Sequence, residues 1–148
     1  MGMTRTATEE SNREVVRRFF EAGPSSGDLA AADALLAPDF TLHVPLPAPG
    51  PGIGAMNNII TTCRAAFHGL HVTIDDLMAD GDRVTCRFTA RGVHNGEFMG
   101  LPPTGKEIRM TGIEIFRLRD WKIAELWGEA NLMGLMQQLG IVPGAPQG

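Results

Sequence analysis

Gly112-Ile-Glu-Ile-Phe-Arg-Leu-Arg-Asp-Trp-Lys-Ile-Ala-Glu-Leu-Trp-Gly-Glu-Ala-Asn-Leu-Met-Gly-Leu-Met-Gln-Gln-Leu-Gly140 passes from an alternating pattern to a helical one within a single run of sequence. In an extended chain Met110, Gly112, Glu114 and Phe116 fall on one face, and Ile113, Ile115 and Arg117 on the other. Arg119-Asp120 is a turn signal, and Lys122 to Gly128 resumes strand composition. From Glu129 to Leu139 the period changes, because Leu132, Leu135, Met136 and Leu139 recur at helical spacing before Gly140 stops them. The predicted order is strand, tight turn, strand, amphipathic helix. A link this short cannot carry a parallel crossover, so the two strands are antiparallel.

Moving outward, Glu107 to Arg117 completes the first of these strands, and Leu70 to Ala79 and Arg83 to Arg91 predict another hairpin around Asp80-Gly81. The first half reads as helices. Ser11 and Glu14 form a capping box ahead of Val15, Val16, Phe19 and Phe20, and Gly23-Pro24 ends that helix. Asp28 opens a second helix, with Leu29, Ala32, Leu35 and Leu36 on one face, that closes near Pro38. Phe40 to Val44 predicts a strand, Pro45, Pro47, Pro49 and Pro51 an extended loop, and Met56, Ile59, Ile60, Cys63 and Phe67 a third helix. The ends, residues 1–8 and 143–148, read as loose. The sum is a single α+β domain over residues 1–148, with a core at about 9–141 and helices on one face of an antiparallel sheet.

The 148 residues carry a net charge of −4, which gives no general pull toward nucleic acid or anionic lipid. No apolar run approaches the ~20 residues of a membrane span, and residues 1–10 lack a leader pattern, so neither a membrane nor a secreted setting is expected. Cys63 and Cys86 have no disulfide or zinc spacing and suit a reducing, cytoplasmic location. His68 and His71 lack a third ligand, so no metal is expected; His94 reads as a turn residue beside Asn95-Gly96. The glycines at 50, 52 and 54 lack the lysine of a phosphate loop, and no serine or cysteine has a histidine and acid placed to activate it.

The C-terminal stretch resembles the SnoaL-like polyketide cyclase family, as does the loop Gly96-Glu-Phe-Met-Gly-Leu-Pro-Pro-Thr-Gly105. The resemblance implies a cone-shaped fold of the nuclear transport factor and scytalone dehydratase type, with a curved sheet and helices enclosing an apolar cavity, and a homodimer. It also implies a lyase- or isomerase-type ring closure, of the kind used in antibiotic biosynthesis, without metal or cofactor: a carboxylate removes a proton beside a carbonyl and polar groups steady the enolate. The family's His-Trp-Asp corresponds here to Leu126-Trp127-Gly128, so the acidic base falls on Gly128, and an aspartate common at the start of the closing helix is Asn131. Thr41-Leu-His-Val-Pro-Leu-Pro47 is similar to the limonene epoxide hydrolase group, with Thr41 and His43 at its water-positioning residues.

Pairing through a short turn, with residue numbers summing to about 240, sets Glu114 opposite Leu126 and diagonal to Gly128. If Met110, Gly112, Glu114 and Phe116 line the cavity, Glu114 supplies the missing carboxylate there, and apolar surroundings raise its pKa into the range of a general acid or base. Glu114 and His43 are therefore the candidate catalytic residues. Asn131 is the candidate orienting amide, Met56, Phe67, Phe88, Met110, Phe116 and Leu126 the wall, and Arg87 a candidate substrate contact, although its spacing with Arg83 and Arg91 also fits a solvated face. Three functions stay open: a cofactor-independent cyclase acting on an apolar polyketide-like carbonyl compound, a polyketide hydroxylase or epoxide-hydrolase-like enzyme, and a small-molecule-binding domain that has lost its chemistry.

Overall fold

The computed structural model describes residues 2–45 and 52–141, with side chains from residue 8 onward. Its elements are α1 (Gly2–Phe20), a π-helical turn (Glu21–Ser25), α2 (Leu29–Asp33), β1 (Leu36–His43), α3 (Gly52–Ala66), β2 (Phe67–Asp80), β3 (Arg83–His94), β4 (Glu107–Arg119), β5 (Lys122–Ala130) and α4 (Leu132–Leu139). Pro47, Pro49 and Pro51 of the expected loop, and the expected loose end at 143–148, lie outside the described residues.

The five strands form one sheet in the order β1-β5-β4-β3-β2. β2 to β5 are the antiparallel meander expected, whereas β1 joins parallel to β5, so the sheet is mixed. β1 can be reached in parallel because α3 and three strands separate it from β5 along the chain. It begins at Leu36, four residues earlier than expected, and runs through Pro38; an edge strand tolerates a proline because one row of its hydrogen bonds is unused.

Other boundaries move for local reasons. Ser11 does not cap α1, whose backbone is helical from Gly2; Glu9 and Asn12 on that helix hold the β2–β3 turn, Glu9 accepting from the Gly81 amide at 3.0 Å and Asn12 donating to its carbonyl at 3.4 Å. The Asp28 carboxylate does cap α2, accepting from the Ala31 amide, but that helix closes after Asp33. Phe67, His68 and His71 belong to β2, because α3 passes straight into the strand. β5 continues through Glu129 and Ala130, and Asn131 caps α4 by accepting from the Gly134 amide at 2.8 Å.

The decisive local feature is in β5. Asp120 and Trp121 form a tight turn with positive φ, Arg119 pairs with Lys122 and Leu118 with Ile123, but Arg117 pairs with Glu125. Ala124 is thus an extra residue, a bulge that shifts the alternation by one. Ile123 and Ala124 are both buried as a result, and Leu126 and Gly128 come to the same face as Phe116 and Glu114. That face carries Val84, Cys86 and Phe88 from β3 and receives the helices. Phe116 packs edge-on to Phe19 and Phe20 of α1, with ring centroids 6.2 and 5.7 Å apart, and Phe20 also meets Phe88 at 5.8 Å.

With its side chain wholly enclosed, Phe116 belongs to this aromatic cluster. Phe116→Ala is therefore expected to cost about 3–5 kcal/mol in urea unfolding. A loss below about 1 kcal/mol would show that the cluster does not carry the packing of α1 on the sheet.

Candidate functional site

Between the inner sheet face and the helices lies a cavity of about 130 Å³. Met56, Ile59, Ile60 and Cys63 of α3, Phe67, Leu70 and Val72 of β2, and Phe88 and Ala90 of β3 make part of its wall. Met110, Glu114, Leu126 and Gly128 form its floor, and Leu132 and Leu135 of α4, Phe98 and Val44 complete it. Of the expected wall residues, Met56, Phe67, Phe88, Met110 and Leu126 are all here. Phe116 is not, because Phe19 and Phe20 cover it.

Glu114 is the polar exception in this floor. It pairs directly with Gly128, not with Leu126 as expected, since the two-residue turn at Asp120-Trp121 and the bulge at Ala124 each move the register by one. A Cβ built on Gly128 would lie 2.9 Å from Glu114 Oε2 and 3.0 Å from Val44 Cγ1, so the carboxyl of Glu114 occupies the space above residue 128. Gly112, the next residue on this face, is covered in the same direction by the Phe88 ring, 2.5 Å from where its Cβ would be. Two glycines thus give Phe88 and Glu114 room to lean toward β5.

The surroundings of Glu114 decide its chemistry. Burial among apolar side chains pushes its carboxyl up from 4.5 to about 8, so it holds its proton at neutral pH. Its residual accessibility is consistent with its place in the cavity wall. Cys86, opposite Glu114 on β3, and Cys63 in the wall are free thiols whose pKa values burial raises to about 12 and about 11, which makes both poor nucleophiles.

Three expected site residues lie elsewhere. His43 is on the outer face: Nε2 is 2.8 Å from Glu125 Oε2, and the ring stacks on Trp127 with centroids 5.6 Å apart. Strand alternation is the cause, since its neighbour Val44 takes the inward position. Arg87 also faces outward, donating from Nε to Asp76 at 2.6 Å. Asn131 is exposed and its side-chain oxygen is committed to capping α4, which leaves it off the cavity wall.

His94 is wholly buried at the end of β3, with Nδ1 accepting from the Thr104 amide at 3.2 Å and 2.9 Å from the Thr104 hydroxyl. It stabilises the loop from 95 to 106 rather than sitting in an open turn. Sequence reasoning missed Phe19, Phe20, Phe98 and Leu135 as cavity residues; the helical periodicities at Phe19 and Leu135 signalled burial, but not which buried positions leave a void. Among the described residues no cluster of three or more His, Cys, Asp or Glu could hold a metal ion, and no helix is long and apolar enough to cross a membrane.

A model of the SnoaL-like polyketide cyclase family matches residues 14–139. The chain belongs to this family. Solved structures agree with the assignment, and the fold is that of the nuclear transport factor-like proteins. TsrD from Streptomyces laurentii is 32% identical, covering 90% of this chain and 97% of its own, at a TM-score of 0.80. IdmH from Streptomyces antibioticus, proposed to be a polyketide cyclase, is 33% identical over 87% of this chain and 98% of its own, at 0.77. AclR from Streptomyces galilaeus, proposed to be a hydroxylase, is 27% identical over 94% of this chain and 87% of its own, at 0.82. No curated protein matches the sequence significantly.

The raised carboxyl has a consequence for stability. Between about pH 4.5 and 8 the unfolded chain has released this proton while the folded chain keeps it, so stability falls as pH rises across that window and levels off above it. Glu114→Gln removes the effect. Urea unfolding is expected to show the variant gaining on wild type by a few kcal/mol between about pH 5 and pH 9; parallel curves would mean that the carboxyl is not desolvated.

Proposed function

We propose that this SnoaL-like protein is an enzyme acting on an apolar, carbonyl-bearing, polyketide-like molecule, with Glu114 as the acid and base of an aldol-type ring closure. The observation that carries the proposal is a carboxyl standing over Gly128 among the apolar side chains of the cavity floor. Membership of the family, and likeness to IdmH, support this class of reaction.

The chemistry follows from that placement. In its ionised form Glu114 takes a proton from the carbon beside a substrate carbonyl, and the electron pair released forms the new C–C bond to a second carbonyl within the same molecule. The oxygen of that second carbonyl receives the proton back from Glu114, so the carboxylate is restored and the mass of the substrate is unchanged. A pKa near 8 matches the enzyme base to the weakly acidic C–H better than a carboxylate at 4.5 does. The apolar walls hold the chain folded on itself and keep water from the enolate.

Hydroxylation is the second reading, favoured by the likeness to AclR. The epoxide-hydrolase-like alternative loses its support, because His43, its water-positioning residue, points away from the cavity.

Incubation with a panel of polyketide β-keto esters, read by product mass and retention time, separates these functions. Ring closure gives unchanged mass at a new retention time; a gain of one oxygen would move the assignment to hydroxylation. Glu114→Gln is expected to lower kcat/KM by about 10²–10⁴-fold. In wild type kcat/KM should rise about tenfold per pH unit and level off near 8. Thermal stabilisation by a panel member that is never consumed would instead identify a binding domain.

A further inference from the structure

We infer that this cavity selects its ligand by charge, admitting neutral carbonyl compounds and rejecting carboxylates, and that Glu129 at the rim is the residue that enforces the choice. The inference rests on the cavity being the substrate site and adds the character of the substrate and the residue that discriminates.

Among the described residues the wall holds no Lys, Arg, His, Asn, Gln, Ser or Thr side chain; its charged members are Glu114 and Glu129. The nearby cations are already engaged: Arg64 of α3, on the helix side, donates to the carbonyls of the wall residue Pro24 and of Ser25, and three arginines face the other side of the sheet. Arg87 donates to Asp76, Arg117 to Glu125, and Arg83 lies over the Trp127 ring at 5.2 Å. A ligand carboxylate entering the cavity would therefore lose its water and meet no fixed cation in the wall. A ketone or ester needs one donor, which the protonated carboxyl of Glu114 supplies.

Glu129 adds a distance-dependent penalty. It follows Gly128 directly, is exposed, and lines both the cavity and the outer groove formed with Ile113, Ile115 and Trp127, so it stands where the two meet. It pairs with Ile113 across the sheet and forms no ion pair with the described residues. A carboxylate at an apolar rim projects its field into the opening, where low-dielectric walls weaken screening.

The test uses 2-acetylnaphthalene and 2-naphthoate, which share a ring system and differ in charge, with affinities measured by fluorescence titration of wild type and Glu129→Gln at neutral pH. Wild type should bind the ketone at least about 100-fold more tightly than the carboxylate. Glu129→Gln should tighten naphthoate about three- to tenfold at about 20 mM salt, leave the ketone within about twofold, and lose most of that gain at about 500 mM salt. Equal wild-type affinity for the two probes, or naphthoate binding unmoved by Glu129→Gln, overturns the inference and leaves the cavity as the site. Failure of both probes to bind overturns the inference together with the reading beneath it.

Discussion

One extra residue, Ala124, sets the phase of β5 against β4, and the inner face of the sheet depends on it. With the bulge, Leu126 and Gly128 share a face with Phe116 and Glu114. Without it, Trp127 would stand opposite Glu114 and bring Glu125 and Glu129 to the inner face, while Leu126 and Gly128 turned outward, since a strand presents alternate residues to opposite sides. A bulge next to a site, where it re-aims side chains, is the role in which such irregularities recur. The parallel pairing of β1 inherits the same phase, with Leu42 beside Leu126 and His43 beside Trp127.

The site is built from what is small as much as from what is chemical. Gly112 and Gly128 leave hollows on the inner face, and Phe88 and Glu114 fill them from the neighbouring strand. On the proposed function, Glu114 of β4 supplies from the neighbouring strand the acid that the family resemblance sets at Gly128 of β5. The same arrangement surrounds the carboxyl with hydrocarbon, which holds its proton in place near neutral pH.

Much of this was legible in the chain. The meander, the closing helix and the inward face of β4 followed from alternation and period, and Glu114 was singled out because the family's acid fell on a glycine. The register error, which set Glu114 opposite Leu126, came half from the turn, which is tighter than a sum of about 240 implies, and half from the bulge: Ile123 and Ala124 are both apolar, and nothing in the sequence distinguishes an extra residue from a continued strand. The same parity reasoning failed at His43, where the strand's two faces could not be assigned before its pairing was known. Asn131 was misread because an asparagine before a helix serves equally as a cap or as a site amide, and here its oxygen is taken by the Gly134 amide. Phe116 and the true wall were inseparable in sequence, since a packed phenylalanine and one facing a void obey the same periodicity.

On the proposed function, the carboxyl over Gly128 is desolvated and exchanges a proton near neutral pH. Carbon NMR of protein labelled at the glutamate carboxyl carbons measures it without any substrate. One resonance should titrate near pH 8 and vanish in Glu114→Gln, while the partnered Glu125 titrates below the ordinary range because His43 and Arg117 bond its charged form. If every glutamate carboxyl titrates below about pH 6, the carboxyl is solvated and the account of the site is wrong.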